Sequence, residues 1–293
     1  MKTLDGVMGE SWNKFFPRAI QIETISECNS SCIYCPYTQT KKKFGHSKLD
    51  SKIFEKVLKE IKKYSPQVIA PYLNNEPLMD KDIFSKIRKI RNVLPNTFID
   101  FATNGSLLSL DKSQILLSDE LGVNEIKINI PSTIPKEYEM MTGLNYDKTL
   151  RNIKDFIDTA KDKNFKGRFR IIIVSSETPE VDLKFWQNLG IESKVYKKIS
   201  RGGIIETEYS TKEKITGCKY NREFEWIHIL STGEIALCCM DWNREHILGD
   251  LKNQSIKEIW EGTRYNQIRQ QIKFSEDKDF ICNKCEWGIN YEK

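Results

Sequence analysis

The sequence predicts an α/β fold built on parallel strands, followed by a smaller α+β region rich in cysteine. Three observations carry this. Six short β-rich runs alternate with amphipathic helical stretches. After about Arg201 the pattern changes to a hairpin and a helix. The unusual polar segments each follow a strand rather than a helix, which is where α/β folds build sites. The 293 residues suffice for one large core, or one core plus a small appendage.

The strands are expected at "AIQIETIS" (19–26), "VIAPYL" (68–73), "TFIDFAT" (97–103), "EIKINI" (125–130), "RFRIIIVS" (168–175) and "ESKVYKKI" (192–199). Between them, Asp50 reads as an N-cap ahead of Ile53, Phe54, Val57, Leu58 and Ile61 at helical spacing. Asp80 reads the same way ahead of Ile83, Phe84, Ile87 and Ile90. Leu150, Ile153, Ile157 and Ala160 form a further stripe, and 181–189 a shorter helix. These stripes are core. Right-handed crossovers then close the layer into a full or partial barrel, or leave it doubly wound. Beyond it, "EWIHIL-STG-EIALCC" reads as a hairpin turning at Gly233, and "SIKEIWEGTRYNQIRQQI" as one helix.

The net charge of +5 is small, and the lysines alternate with acids along helices, as in "KIFEKVLKEIKK". Such charges are solvated faces. The one tight basic cluster, Lys41 to Lys43, is a lysine loop able to meet a phosphate or nucleic acid. There is no apolar run long enough to cross a bilayer and no apolar segment near the N-terminus, so no membrane association and a cytoplasmic location are expected. In a reducing compartment the eight cysteines point to metal ligation, not disulfides.

Cys28, Cys32 and Cys35 stand in "CNSSCIYCPY" after the first strand. Three thiolates can hold three irons of a [4Fe–4S] cluster and leave the fourth iron open to a non-protein ligand. The alternative is a structural zinc with His46 as fourth ligand, for which the spacing is poor. Polar segments then follow the other strands: "NNEP" at Asn74 to Pro77, Asn104 and Gly105, Asn129 and Pro131, Ser175 and Ser176, and "RGG" at Arg201 to Gly203. In the C-terminal region Cys218, Cys238, Cys282 and Cys285 can complete a second [4Fe–4S] cluster, or hold zinc in a ribbon.

CxxxCxxC at the end of the first strand, with Tyr34 before its last cysteine, resembles the radical S-adenosylmethionine (SAM) superfamily. The resemblance implies a partial (β/α)6 TIM-like barrel. It also implies SAM chelated to the open iron, reductive cleavage of SAM, and a 5′-deoxyadenosyl radical that abstracts a hydrogen atom. "NNEP" stands where the family has Gly-Gly-Glu-Pro: Glu76 and Pro77 match, while Asn74 and Asn75 replace the glycines. By resemblance, Tyr34, Asn75, Glu76, Pro77, Asn104, Asn129 and Ser175 bind SAM. Read alone, Asn104 serves a turn and Glu76 starts a helix.

The segment from "STGEIALCC" to "SIKEIWEG" resembles the SPASM or twitch domain, which carries an auxiliary cluster. This implies two [4Fe–4S] clusters in all, with Cys218, Cys238, Cys282 and Cys285 as the auxiliary ligands, and a reduced flavodoxin- or ferredoxin-type electron donor. The expected division is 1–18 as an extension, 19–203 as the barrel and 204–293 as the auxiliary domain. "SRGGI" resembles the aminocyclitol (2-deoxy-scyllo-inosamine) dehydrogenase type, so Arg201 is expected to contact substrate, with Asp241 near it. Cys239 is left over. Strand alternation turns it away from Cys238, toward either the barrel mouth or the small domain's core; it is either a bystander in that core, the preferred reading, or a hydrogen-atom donor.

Three functions are compatible with these residues. The first oxidises or epimerises a carbohydrate-like small molecule. The second modifies a ribosomal peptide; with about eighteen residues before the first strand, leader binding would fall to a separate protein. The third is a zinc module binding nucleic acid, which the modest charge does not favour.

Overall fold

A computed structural model describes residues 15–174, 176–209 and 211–290. Six strands run parallel and in sequence order: β1 (Ala19–Ile22), β2 (Val68–Ala70), β3 (Phe98–Thr103), β4 (Glu125–Asn129), β5 (Arg168–Val174) and β6 (Ser193–Tyr196). All six predicted strands are present. β1, β2 and β6 end earlier than their β-rich runs, because the chain leaves the ladder there to form the polar loops.

Strand alternation separates core from site. On β4, Ile126 and Ile128 are fully buried in the main hydrophobic cluster, whereas Lys127 and Asn129 line a cavity. On β5, Ile171 and Ile173 join the core, and Arg170, Ile172 and Val174 face the same cavity. The helix Ser51–Tyr64 adds Ile53, Phe54, Val57, Leu58 and Ile61 to the core. Each such burial contributes about 1.5–3 kcal/mol. Asp50 caps this helix as expected, accepting from the backbone N–H of Lys52 and Ile53.

Several elements differ from the sequence expectation. Asp80 lies in the turn before the helix Ile83–Val93, with Asp82 at the cap position; its carboxylate accepts from the Asp82 N–H and pairs with Lys86. Lys41 to Lys43 are the last turn of a helix, Tyr37–Phe44, where cations suit the carbonyl end. After β4 the chain forms two helices, Pro135–Thr142 and Tyr146–Asp162, with the φ of 69° at Gly143 ending the first and the expected stripe of Leu150, Ile153, Ile157 and Ala160 on the second. The run after the hairpin breaks into Ile256–Glu261 and Thr263–Phe274 at Gly262. Gly262 is extended there, and a Cβ on it would stand 2.8 Å from the Glu258 carbonyl oxygen.

The C-terminal region continues the barrel's own sheet. β7 (Gly217–Cys218) stands apart from that sheet. β8 (Trp226–Ile229) pairs in parallel with the free edge of β1. β9 (Glu234–Ala236) and β10 (Ile247–Asp250) extend the sheet antiparallel, giving nine strands. β11 (Gly288–Ile289) pairs antiparallel with β7. A buried ion pair between Arg18 and Glu225 at 3.2 Å ties the two regions together. Among the described residues, no helix is long and apolar enough to cross a membrane.

Candidate active site

The loop after β1 is held from several sides. Glu23 is buried and accepts from the Ser231 N–H and hydroxyl. The Cys28 N–H donates to the Tyr37 hydroxyl at 2.8 Å, and the Cys35 N–H to the Cys32 carbonyl. The Ser31 N–H and Ser30 hydroxyl donate to the Thr142 carbonyl, and the Ile33 N–H to that of Met141. This contact needs Gly143: a Cβ there would lie 2.4 Å from the Ser31 hydroxyl oxygen. From the other side, Asn104 donates to Asn29, and Asn29 to the Ser106 hydroxyl.

Cys28, Cys32 and Cys35 line one cavity of about 630 Å³ at the C-terminal ends of the strands. Burial pushes the Cys28 thiol up to about 12 and that of Cys35 to about 11. Desolvated thiols on one loop fit a bound iron cluster, which supplies the positive charge that stabilises thiolate. His46 is exposed and does not line the cavity, so it is no fourth ligand for zinc.

Tyr34, Asn75, Glu76, Asn104 and Asn129 line the same cavity. Burial raises the Tyr34 phenol well above its ordinary value. Asn75 accepts from the Leu73 N–H, and its buried Nδ2 has no partner among the described residues, a donor open to a ligand. Glu76 accepts from the Leu78 N–H, the Thr103 hydroxyl and the Asn104 N–H, at 3.1, 2.8 and 2.7 Å. It therefore both starts a short 3-10 turn and faces the cavity. Burial raises its carboxyl to about 6 against those three hydrogen bonds. Pro77 is buried in that turn and lies outside the cavity lining. The Asn104 amide is occupied with Asn29 and Ser106. Asn129 reaches the Thr103 carbonyl at 3.5 Å. Ser175 lies outside the described residues.

Cys218, Cys238, Cys282 and Cys285 line a second, small pocket closed by Leu237, Ile272 and Ile281. Burial is the main cause that raises the thiols of Cys218, Cys282 and Cys285, the last to about 12. Cys238 is raised as well, through its hydrogen bond to Cys239 and then burial. Four thiols lining one mostly apolar pocket supply the donor set of a fully ligated cluster, although among the described residues no three of them are close enough for a single metal ion.

Cys239 does not face the small domain's core; it lines the large cavity. The expected alternation does not apply, because β9 ends at Ala236 and the two cysteines sit beyond it. The Arg222 guanidinium donates to Cys239 Sγ at 2.9 Å. The hydrogen bond with Cys238 and the charge of Arg222 pull the Cys239 thiol below its ordinary value. Asp241 is buried and absent from the cavity: its carboxylate accepts from the N–H groups of Glu245 and His246, closing its own loop.

Arg201 does reach the cavity. It sits at φ 53° ahead of two glycines also in the left-handed region. This turn packs on the loop carrying Cys282 and Cys285, through Ser200 to the Lys284 carbonyl and the Glu286 carboxylate. The Arg201 guanidinium contacts the Met240 sulfur at 3.9 Å and has no carboxylate partner among the described residues. Lys127, Arg170, Lys194, Lys219 and Arg222 also line the cavity, and the sequence reading does not single them out. For the first two a signal exists, as polar residues alternating with isoleucine in "EIKIN" and "RFRIII". Arg222, Met240 and Trp287 line both cavities and form the wall between them.

Comparison with known proteins agrees with this layout. The radical SAM superfamily model matches residues 22–185, and an iron-sulfur cluster-binding domain model, SPASM, matches residues 218–286. The S-adenosyl-L-methionine-dependent 2-deoxy-scyllo-inosamine dehydrogenase of Niallia circulans is 19% identical over 272 residues, covering 91% of each chain. The structure of BtrN in complex with AdoMet and 2-DOIA superposes with a TM-score of 0.61 at 16% identity, covering 99% of this chain and 94% of that one. Streptococcus suis SuiB bound to precursor peptide SuiA superposes with a TM-score of 0.68 at 15% identity, covering 92% of this chain and 71% of that one. With a barrel, a cysteine loop at its mouth and a cysteine-lined pocket behind it, the chain belongs to the radical SAM superfamily, carries a C-terminal SPASM domain, and has SAM and [4Fe–4S] clusters as its cofactors.

Proposed function

We propose that this radical SAM enzyme is an oxidoreductase acting on a hydroxyl-bearing, carbohydrate-like small molecule. The observation that carries the reading is the shared wall: a substrate in the large cavity is separated from the four-cysteine pocket only by Arg222, Met240 and Trp287. Cys28, Cys32 and Cys35 hold three irons of the first cluster; Cys218, Cys238, Cys282 and Cys285 hold the second. SAM and a cluster held by Cys28, Cys32 and Cys35 would supply hydrogen-atom abstraction from substrate, and a cluster held by Cys218, Cys238, Cys282 and Cys285 would supply an acceptor for the electron that remains. The substrate thereby loses one hydrogen atom, one electron and one proton. Glu76 and the free Asn75 amide orient SAM, and Arg201 holds the substrate. The resemblance to the inosamine dehydrogenase over nearly the full length supports the reaction class.

One observation favours a second reading, epimerisation. Cys239 lines the large cavity, where a thiol can return a hydrogen atom to a substrate radical. The test is anaerobic turnover with SAM, reductant and candidate substrates in deuterated solvent. A product two mass units lighter, without deuterium, supports oxidation. An isomer carrying one solvent deuterium at carbon replaces it with epimerisation. A modified peptide as the only turned-over substrate would move the chain to the maturases, which share its fold.

A further inference from the structure

The charges around the large cavity are unequal. Six cations line it: Lys127, Arg170, Lys194, Arg201, Lys219 and Arg222. Among the described residues two carboxylates do, Glu76 and Glu225. Both are already engaged, Glu76 by three hydrogen bonds and Glu225 by Arg18. Asp241, the carboxylate expected near the substrate, is turned away into its own loop. Thus no free carboxylate among the described lining residues can receive an ammonium group.

The cations divide differently. Lys127 is paired with Asp100 at 2.8 Å and Arg170 with Glu125 at 2.9 Å, both below the cavity floor. Arg222 faces cysteine sulfur. Lys194, Arg201 and Lys219 have no carboxylate partner among the described residues. Lys194 lies near the Tyr196 ring and Lys219 near that of Trp287, at 5.1 and 5.8 Å. Trp226, Trp287, Tyr196 and Tyr220 also line the cavity, giving apolar faces for a ring.

Resting on the oxidoreductase reading for the position of the substrate, we infer that the substrate is anionic: a ring-bearing small molecule with a carboxylate or phosphate held by Arg201, Lys194 and Lys219. An amine-bearing substrate such as an aminocyclitol would meet repulsion from the same residues.

The test uses the reconstituted holoenzyme with SAM bound, following tryptophan fluorescence, since Trp226, Trp242 and Trp287 line the cavity. The probes are glucuronate, glucose 6-phosphate, glucose and glucosamine. Either anion should bind at least about tenfold more tightly than glucose and glucosamine; which anion prevails tells carboxylate from phosphate. The double variant Lys194→Gln, Lys219→Gln changes two exposed side chains and should fold normally. It should bind the preferred anion about tenfold or more weakly, with SAM affinity unchanged. Binding of neither anion, glucosamine binding as tightly as the anions, or anion binding unaffected in the double variant would each overturn the inference. Anion binding with no oxidised product from any substrate would instead sink the oxidoreductase reading and leave the charge preference standing.

Discussion

Glu76 offers a prediction whose sign and size follow from its surroundings. Its carboxylate is buried and receives three hydrogen bonds, yet burial wins and raises its carboxyl from 4.5 to about 6. If its role is to face the SAM ammonium, SAM binds the ionised form. SAM affinity should then be nearly flat above about pH 7 and fall below it. At pH 5 about one molecule in ten is ionised, so affinity should drop about tenfold, or about 1.4 kcal/mol. Glu76→Gln keeps the shape and removes the charge. At pH 7.5 it should cost about 1.5–3 kcal/mol of SAM binding, and the dependence between pH 5 and 7.5 should vanish.

Folding stability runs the other way. A carboxyl raised in the folded state holds its proton better there than in the unfolded chain. Its contribution is complete below pH 4.5 and is lost as pH rises through about 6, by about 2 kcal/mol. The Glu76→Gln variant would escape that charge burial but would turn an amide donor toward one of three donors, a loss of about 1–3 kcal/mol. The two effects nearly cancel, so the variant should fold. Equilibrium dialysis of SAM at pH 5.0, 6.0 and 7.5, for both proteins, reads the outcome. Wild-type affinity independent of pH, or unchanged affinity in Glu76→Gln, would refute the assignment of Glu76 to SAM.

Other predictions are more direct. Replacing Cys28, Cys32 and Cys35 together by alanine should halve the iron content and abolish SAM cleavage; surviving cleavage would remove those residues from the first cluster. Arg222→Met should lower the reduction potential of the auxiliary cluster by about 40–90 mV, the one-electron equivalent of about 1–2 kcal/mol from a nearby cation. An unchanged potential in spectroscopic titration would show that Arg222 exerts no field there. Gly143→Ala forces a β-carbon toward Ser31 from a left-handed residue, and should lower stability by about 1–3 kcal/mol in thermal unfolding. Cys239→Ala should keep full iron and still yield oxidised product if the reaction is oxidation; loss of product with 5′-deoxyadenosine still forming would favour epimerisation.

What the sequence discloses follows the range of each interaction. Period-two alternation on β4 and β5 marks inward polar residues, and the cysteine spacings mark ligand loops, because both signals lie within a few residues. Gly143 and Gly262 are harder to read: each separates two helices, and the apolar pattern continues on both sides. Pairing of β8 with β1 joins residues some two hundred positions apart, and no local pattern specifies it. Asp241 and Cys239 depart from expectation at one turn. The Asp241 expectation comes from family resemblance, and the Cys239 expectation takes Cys238 and Cys239 to alternate on one strand. β9 stops at Ala236, and a turn follows in which the Asp241 N–H bonds the Cys238 carbonyl.

That turn has a chemical consequence. It points Cys238 into the closed pocket and Cys239 into the open cavity, while Met240 stands between the two. Asp241 fixes it by accepting from the Glu245 and His246 N–H groups, and the Ser200–Gly203 turn packs against it, with a Cβ on Gly202 lying 2.7 Å from Ile281 and 3.3 Å from the Met240 carbonyl oxygen. Arg201 and the wall residues therefore cannot move independently. We propose that Asp241 acts through position rather than contact. Its loss would loosen Arg201, Met240 and Cys239 together, so substrate binding and electron transfer to the auxiliary cluster would weaken in step while SAM binding at Glu76, across the cavity, stayed intact.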